Sequence, residues 1–266
     1  MLDRYNRKIN YLRVSVTDRC NLRCTYCMPE DGITQLKHED ILSFDEIIDF
    51  IKEAVALGVN KVRLTGGEPL VRKGIVDLVR MVSEIKEIDD LSMTTNAILM
   101  LQFAKPLWNA GLRRINVSLD TVNPEKFELI TRGGKIEDVF NGLEEAKRVG
   151  FNPIKINCVI DKTSNEPDAI AVKEFAVSQG FEVRFIPKME LDKGIFGQVE
   201  GGEGGNCANC NRLRLTANGF VKPCLFSDLG YSVREFGAKA AIEMAIGLKP
   251  ESGTSNQNGK FYNIGG

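Results

Sequence analysis

Six short β-branched runs alternate with helix-patterned segments between Tyr11 and Ile186, and within those runs the apolar residues keep to one of the two faces. No other feature constrains the fold as much. The runs are Tyr11 to Thr17, Lys61 to Thr65, Leu91 to Thr95, Arg114 to Leu119, Ile154 to Ile160 and Glu182 to Ile186. The clearest helix between them carries Phe44, Ile47, Ile48, Ile51 and Val55 at helical spacing, with Ser43 as N-cap, Glu46 at the capping-box position and Gly58 beyond its end. Five successive β-α-β links argue for a parallel sheet, either an open doubly wound one or an incomplete barrel. Parallel strands buried on both faces read as apolar throughout. These do not: Val14, Val16, Val62, Leu64, Val117 and Ile156 alternate with Arg13, Ser15, Arg63, Thr65, Ser118, Lys155 and Asn157. With the apolar face on the helices, the polar face lines an interior. Burying such charges dry costs several kcal/mol per ion, so that interior must hold water or a polar ligand. The expected fold is therefore α/β, a partial (β/α)6 TIM-like barrel open along one side. Arg13, Arg63 and Lys155, together with Arg184, make its cavity cationic and suited to phosphates or carboxylates.

Residues 1–186 form the expected barrel, 187–206 a glycine-rich linker and 207–266 a C-terminal region. That region starts with a hairpin, Arg212 to Thr216 and Phe220 to Cys224 turning at Asn218-Gly219. A helix over Ser232 to Ile246 and a polar, loosely held tail from Pro250 follow. With 35 basic against 36 acidic side chains, nothing in the overall charge favours nucleic acid or an anionic membrane. No apolar run reaches the roughly 18 to 20 residues needed to cross a bilayer, and no secretion-signal core follows Met1, so a cytoplasmic protein is expected. The single histidine, His38, disfavours chemistry built on imidazole bases.

Six of the seven cysteines fall in two groups, Cys20-x3-Cys24-x2-Cys27 and Cys207-x2-Cys210-x13-Cys224. Such spacings in a chain without an export signal read as metal ligands rather than disulfides. Cys158 is left over, as a small buried side chain in a strand. The first group follows strand one, where a β/α barrel does its chemistry. Three thiolates there can hold three irons of a 4Fe-4S cube and leave the fourth iron open for a substrate. For the second group the same reading is the sharper one, while zinc or a fully ligated cluster remains open. The hairpin turn brings Cys224 back toward Cys207 and Cys210, and the strand period puts Arg212 and Arg214 on one face. After strand two, Gly66-Gly67-Glu68-Pro69 is a turn whose glycines permit close backbone approach.

The first cysteine spacing, with Tyr26 before its last cysteine, resembles the radical S-adenosylmethionine (SAM) superfamily. That resemblance implies a cluster whose open iron chelates SAM and, on reduction, releases a 5′-deoxyadenosyl radical. It also implies cofactor contacts at Tyr26, Gly66, Gly67, Glu68, Ser118 and Met189. Within the superfamily, the stretches Val14 to Cys20 (VSVTDRC), Leu64 to Pro69 (LTGGEP), Ile130 to Gly134 (ITRGG) and Cys210 to Thr216 (CNRLRLT), with the terminal Gly265-Gly266, resemble the GTP 3′,8-cyclase family of molybdenum-cofactor biosynthesis. This second resemblance implies two 4Fe-4S clusters, on Cys20, Cys24 and Cys27 and on Cys207, Cys210 and Cys224. GTP would be held by Arg13, Arg63, Thr94, Lys155, Arg212 and Arg214, the last two also counted in the catalytic set with the first triad. The radical takes hydrogen from ribose C3′, and the carbon radical attacks guanine C8. Implied partners are a reductant such as flavodoxin or ferredoxin and a downstream cyclic pyranopterin monophosphate synthase, and a homodimer is compatible with the pattern. Two departures stand out: Met189 to Cys207 is much shorter than in the family, and Ala97 stands where glycine is usual. A radical SAM enzyme acting on a peptide and a non-catalytic iron-sulfur or metal-binding protein are the competing readings.

Overall fold

A computed structural model describes residues 1–258 and 261–264. Its sheet runs in the spatial order β6-β5-β4-β3-β2-β1-β7-β8-β9. The first six strands, β1 (Tyr11–Ser15), β2 (Lys61–Thr65), β3 (Asp90–Thr95), β4 (Arg114–Ser118), β5 (Ile154–Ile160) and β6 (Glu182–Pro187), are parallel and adjacent in chain order. A doubly wound sheet reverses at a switch point. An unbroken sequence of neighbours, each reached by a crossover of one hand, instead curls in one direction as a barrel does. β6 pairs with no other named strand on its outer side, so the barrel stays open.

The crossovers are α1 (Phe44–Ala56), α2 (Ile75–Ser83), α3 (Met100–Asn109), α4 (Pro124–Thr131) with α5 (Ile136–Val149), and α6 (Pro167–Gln179). α1 starts as its sequence dictates: Glu46 N–H donates to Ser43 Oγ at 3.2 Å, and Ser43 N–H to the Glu46 carboxylate at 2.7 Å. Ile47, Ile48, Phe50 and Ile51 of α1 share one core with Val14, Val62, Leu64 and Val117 from the apolar strand face. The alternation has done what it promised.

Beyond β1 the sheet continues into β7 (Arg212–Leu215), which is parallel to β1. β8 (Phe220–Lys222) then returns antiparallel, and β9 (Tyr231–Ser232) follows. The hairpin turns at Gly219, whose φ of 83° suits glycine. The long helix expected over Ser232 to Ile246 is in fact two, α7 (Val233–Phe236) and α8 (Ala238–Gly247), because Gly237 takes φ 78° and ψ 157°. Residues 187–206 fold against the edge strand, where Phe185 and Glu200 exchange two backbone hydrogen bonds at 3.0 Å, and back on themselves, where Glu190 and Ile195 do the same. They cover an edge that would otherwise expose unpaired backbone groups.

The tail is packed rather than loose. α9 (Phe261–Ile264) delivers Ile264 to a small second core with Leu191, Leu225 and Phe226. Those partners are distant in sequence, so no local periodicity announces the packing. The diglycine at 265–266 lies outside the described residues.

Candidate active site

Parallel register decides where the charges go. Arg214 of β7, Arg13 of β1, Arg63 of β2 and Ser92 of β3 are direct neighbours in one row, and Arg212, Tyr11, Lys61 and Asp90 form another two residues earlier. Adjacent like charges repel, and here they are also largely buried, Arg63 being 7% and Arg214 6% exposed. Burial, and next the Arg214 guanidinium, pull Arg13 well below its usual range, while burial and then Arg212 bring Arg214 down to about 10. Some relief is local: Arg63 Nε donates to Ser92 Oγ at 3.2 Å, Arg63 and Arg212 lie over the Tyr11 ring at 5.4 and 6.0 Å, and Arg114 pairs with Asp90 at 2.9 Å.

That row lines a cavity of about 680 Å³, within the range of roughly 300 to 1,000 Å³ usual for ligand sites. At the mouth, past the C-terminal end of β1, stand Cys20, Cys24 and Cys27, with Tyr26 beside them. The loop carrying them is braced by α4 and its cap: Arg23 N–H donates to Thr131 O at 3.1 Å, Thr25 N–H to Ile130 O at 2.9 Å, and Arg132 to the carbonyls of Arg23 and Met28 at 3.0 Å each. Burial pushes the thiols up, Cys20 to about 11 and Cys24 and Cys27 to about 12, so metal binding there must displace protons. Tyr26 donates its phenol proton to the half-buried Asp120 carboxylate at 2.8 Å, which also accepts from Val159 N–H at 2.8 Å.

Gly66 and Gly67 press against the same loop. Gly67 N–H donates to Thr17 O and Glu68 N–H to Arg19 O, both at 2.8 Å. The buried Glu68 carboxylate accepts from Thr95 Oγ1 at 2.7 Å, Asn96 N–H at 2.7 Å and Leu70 N–H at 3.1 Å, yet burial outweighs these donors and raises it to about 7. Ala97 closes this turn at φ 63°, a left-handed conformation that glycine adopts freely and that costs another residue about 1–2 kcal/mol. Thr94, Ser118 and Met189 also border the cavity. The buried Thr94 hydroxyl and Arg184 Nε have no hydrogen-bond partner among the described residues, a further sign of a polar occupant.

Cys207, Cys210 and Cys224 border the same cavity from its other end. Cys210 precedes β7, which runs parallel to β1, whereas Cys20 follows β1. The five residues of β1, at about 3.3 Å each, therefore lie between the two triads, with the arginine row along them. Burial works to raise the Cys210 thiol, but the Lys249 ammonium, Arg212 N–H and the Arg212 guanidinium outweigh it, and Cys210 lies below its usual range.

The donor sets fit iron-sulfur clusters: each is three thiols, and neither has a histidine at hand. Among the described residues, no three His, Cys, Asp or Glu side chains are drawn together closely enough to hold a metal ion as they stand. Every expected site residue borders the cavity except Lys155. Its ammonium pairs instead with Glu182, its register neighbour on the edge strand. Sequence reasoning passed over Tyr11, Asn96, Arg114 and Lys249. The two-residue alternation could have found Tyr11 beside Arg13, and Asn96 two positions beyond Thr94, directly after the strand. Nothing local announces Lys249.

The radical SAM superfamily profile matches residues 14–176. Among curated proteins, the chain is 39% identical to the GTP 3′,8-cyclase of Thermodesulfovibrio yellowstonii, covering 94% of this chain and 95% of that one. It is 42% identical to the cyclase of Peptoclostridium acidaminophilum, over 86% and 84%. The first of these alignments spans 305 positions, more than the 266 residues here, so the relative carries segments this chain lacks. Streptococcus suis SuiB bound to precursor peptide SuiA matches at TM-score 0.66 and 17% identity, over 91% of this chain and 65% of that longer one. Native anSMEcpe with bound AdoMet matches at TM-score 0.59 and 16% identity, over 82% and 75%. These two are likenesses of fold.

Proposed function

The chain belongs to the radical SAM superfamily and, within it, to the GTP 3′,8-cyclases, and from this we propose how its residues divide the work of closing GTP into 3′,8-cyclo-7,8-dihydro-GTP for molybdenum-cofactor biosynthesis. Cys20, Cys24 and Cys27 hold the 4Fe-4S cluster that binds SAM. Cys207, Cys210 and Cys224 hold a second cluster, and the triphosphate lies along the arginine row between them. When bound, the first cluster and SAM supply the 5′-deoxyadenosyl radical that takes hydrogen from ribose C3′. The protein's own contribution is to bind, orient and exclude water. Glu68, carrying a carboxylate steadied by three donors, is the acceptor for the SAM amino group, and its raised affinity for a proton suits a site that must receive a cation rather than hold a free charge. Tyr26 is oriented by Asp120. Arg13, Arg63 and Arg214 neutralise phosphate while phosphate relieves their mutual repulsion.

One observation carries this reading: three arginines in register on adjacent strands, between two thiol triads that border one cavity. A polyanion lying along that row is the occupant such an arrangement favours. The radical chemistry also needs an electron from an external donor such as flavodoxin or ferredoxin, and among the described residues no helix is long and apolar enough to cross a membrane.

The test is anaerobic reconstitution with iron and sulfide, followed by reduction in the presence of SAM and GTP. Both 5′-deoxyadenosine and a cyclised nucleotide are expected by mass spectrometry. Cleavage of SAM with GTP left intact, where a known cyclase succeeds, would make the substrate assignment wrong.

A further inference from the structure

Lys249 follows the C-terminus of α8 and is 1% exposed. Its Nζ donates to Arg212 O at 2.8 Å and to Pro223 O, and it contacts the Cys210 thiol. No carboxylate among the described residues pairs with it. A buried ammonium left uncompensated is strongly disfavoured, so a group of opposite charge belongs beside it. The acidic groups within reach are the thiols of Cys210 and Cys224, both of which act on it electrostatically. Neighbouring contacts frame the same triad: Arg7 donates to the carbonyls of Cys207 at 2.8 Å, Glu251 at 2.8 Å and Pro250 at 2.6 Å, and Ser252 Oγ donates to Cys207 Sγ at 3.6 Å. The first triad has the opposite surroundings, with Glu68 acting on Cys20 and Asp120 on Cys24.

Resting on the reading that the second triad holds a cluster, we propose that Lys249 is its built-in counter-charge and positioning residue. It joins the two chain segments that bear Cys210 and Cys224, and its positive charge favours the reduced, more negative state of the cluster. The two triads thereby hold clusters of different potential, the distal one being the easier to reduce.

The test uses the full chain with Cys20, Cys24 and Cys27 all changed to Ala, so that only the second triad can load. Lys249→Met and Lys249→Arg are compared in that background by bound iron and sulfide, release of iron to a chelator and an EPR-monitored redox titration. Thermal melts of the metal-free chains report folding separately. For Lys249→Met, iron release about tenfold faster is expected, with the reduced-to-oxidised ratio at fixed potential lowered about tenfold, a shift of about 59 mV for one electron. Lys249→Arg should restore both. Parent-like potential and chelator resistance in Lys249→Met would overturn the proposal, and so would Lys249→Arg behaving as badly as a folded Lys249→Met. If Lys249→Met does not fold, a Lys249→Arg potential within experimental error of the parent supports the proposal and a shifted one overturns it. A parent chain that takes up no iron at all would instead sink the cluster reading itself, and the two failures are told apart by the parent's iron content.

Discussion

Gly67→Ala tests whether the two motifs at the barrel mouth really are one structural unit. A Cβ on Gly67 would lie 2.3 Å from Arg19 O, 2.7 Å from Arg19 C and 2.9 Å from Asp18 O. Comfortable contacts between carbon atoms lie at about 3.5–4.0 Å, so the two backbones must part by about 1 Å. No flexible side-chain tip is available to absorb the clash. Parting them weakens the bonds from Gly67 N–H to Thr17 O and from Glu68 N–H to Arg19 O, worth about 1 kcal/mol each. Adding an overpacking cost of about 1–3 kcal/mol gives a destabilisation of about 3–5 kcal/mol when both bonds are lost. Because Arg19 adjoins Cys20 and Gly67 adjoins Glu68, the same movement shifts the cysteine loop against the Glu68 carboxylate, the contact proposed above for SAM. A misplacement of about 1 Å can lower a rate by about 100-fold. Urea denaturation of the metal-free chain measures the first quantity, and 5′-deoxyadenosine formation by the reconstituted enzyme measures the second. A variant with unchanged midpoint and unchanged SAM cleavage would refute the argument from close backbone approach.

Arg214→Ala should weaken GTP binding by about 10- to 100-fold, the value of a charge-assisted hydrogen bond, while SAM cleavage persists. Lys155→Ala, whose ammonium is engaged by Glu182, should change GTP binding less than about twofold; equilibrium dialysis distinguishes the two, and equal losses would return Lys155 to the phosphate site. The Arg234 guanidinium, at 2.8 Å from Glu46, holds that carboxyl down at about 2, against burial and with help from Ser43. A depressed acid contributes stability above its unfolded pKa of about 4.3, and that contribution is lost as the pH falls toward 2. Since both side chains are substantially exposed, Arg234→Ala should cost only about 0.5–1 kcal/mol at pH 7 and less at pH 3, read from urea midpoints; an equal loss at both would count against the ion pair.

How much was legible in the residues varies with how local the signal is. The six strands, the Ser43 cap and the turn at Gly219 each depend on neighbours within a few positions, and they stand where the pattern put them, their ends moved by no more than two residues. The choice of a partial barrel over a doubly wound sheet was also available, because a polar inner face and an apolar outer face are written into alternate residues. Lys155 marks the limit of that logic. Alternation assigns it to the interior face, but its partner Glu182 comes from a strand chosen by the topology.

The amino-acid order by itself thus determined the chemistry on offer: two groups of three thiols, a glycine turn followed by a carboxylate, and cations on the alternating polar face of several strands. Tertiary structure decided what those groups do to one another. The register of β7 on β1 and β1 on β2 puts three guanidiniums side by side, and the folding back of residue 249 sets an ammonium against a thiol 39 positions earlier in the chain. Hydrogen bonds and hydrophobic periodicity act over a few residues and can be read along a chain, whereas Coulomb forces act across space and depend on which distant segments the packed core brings together.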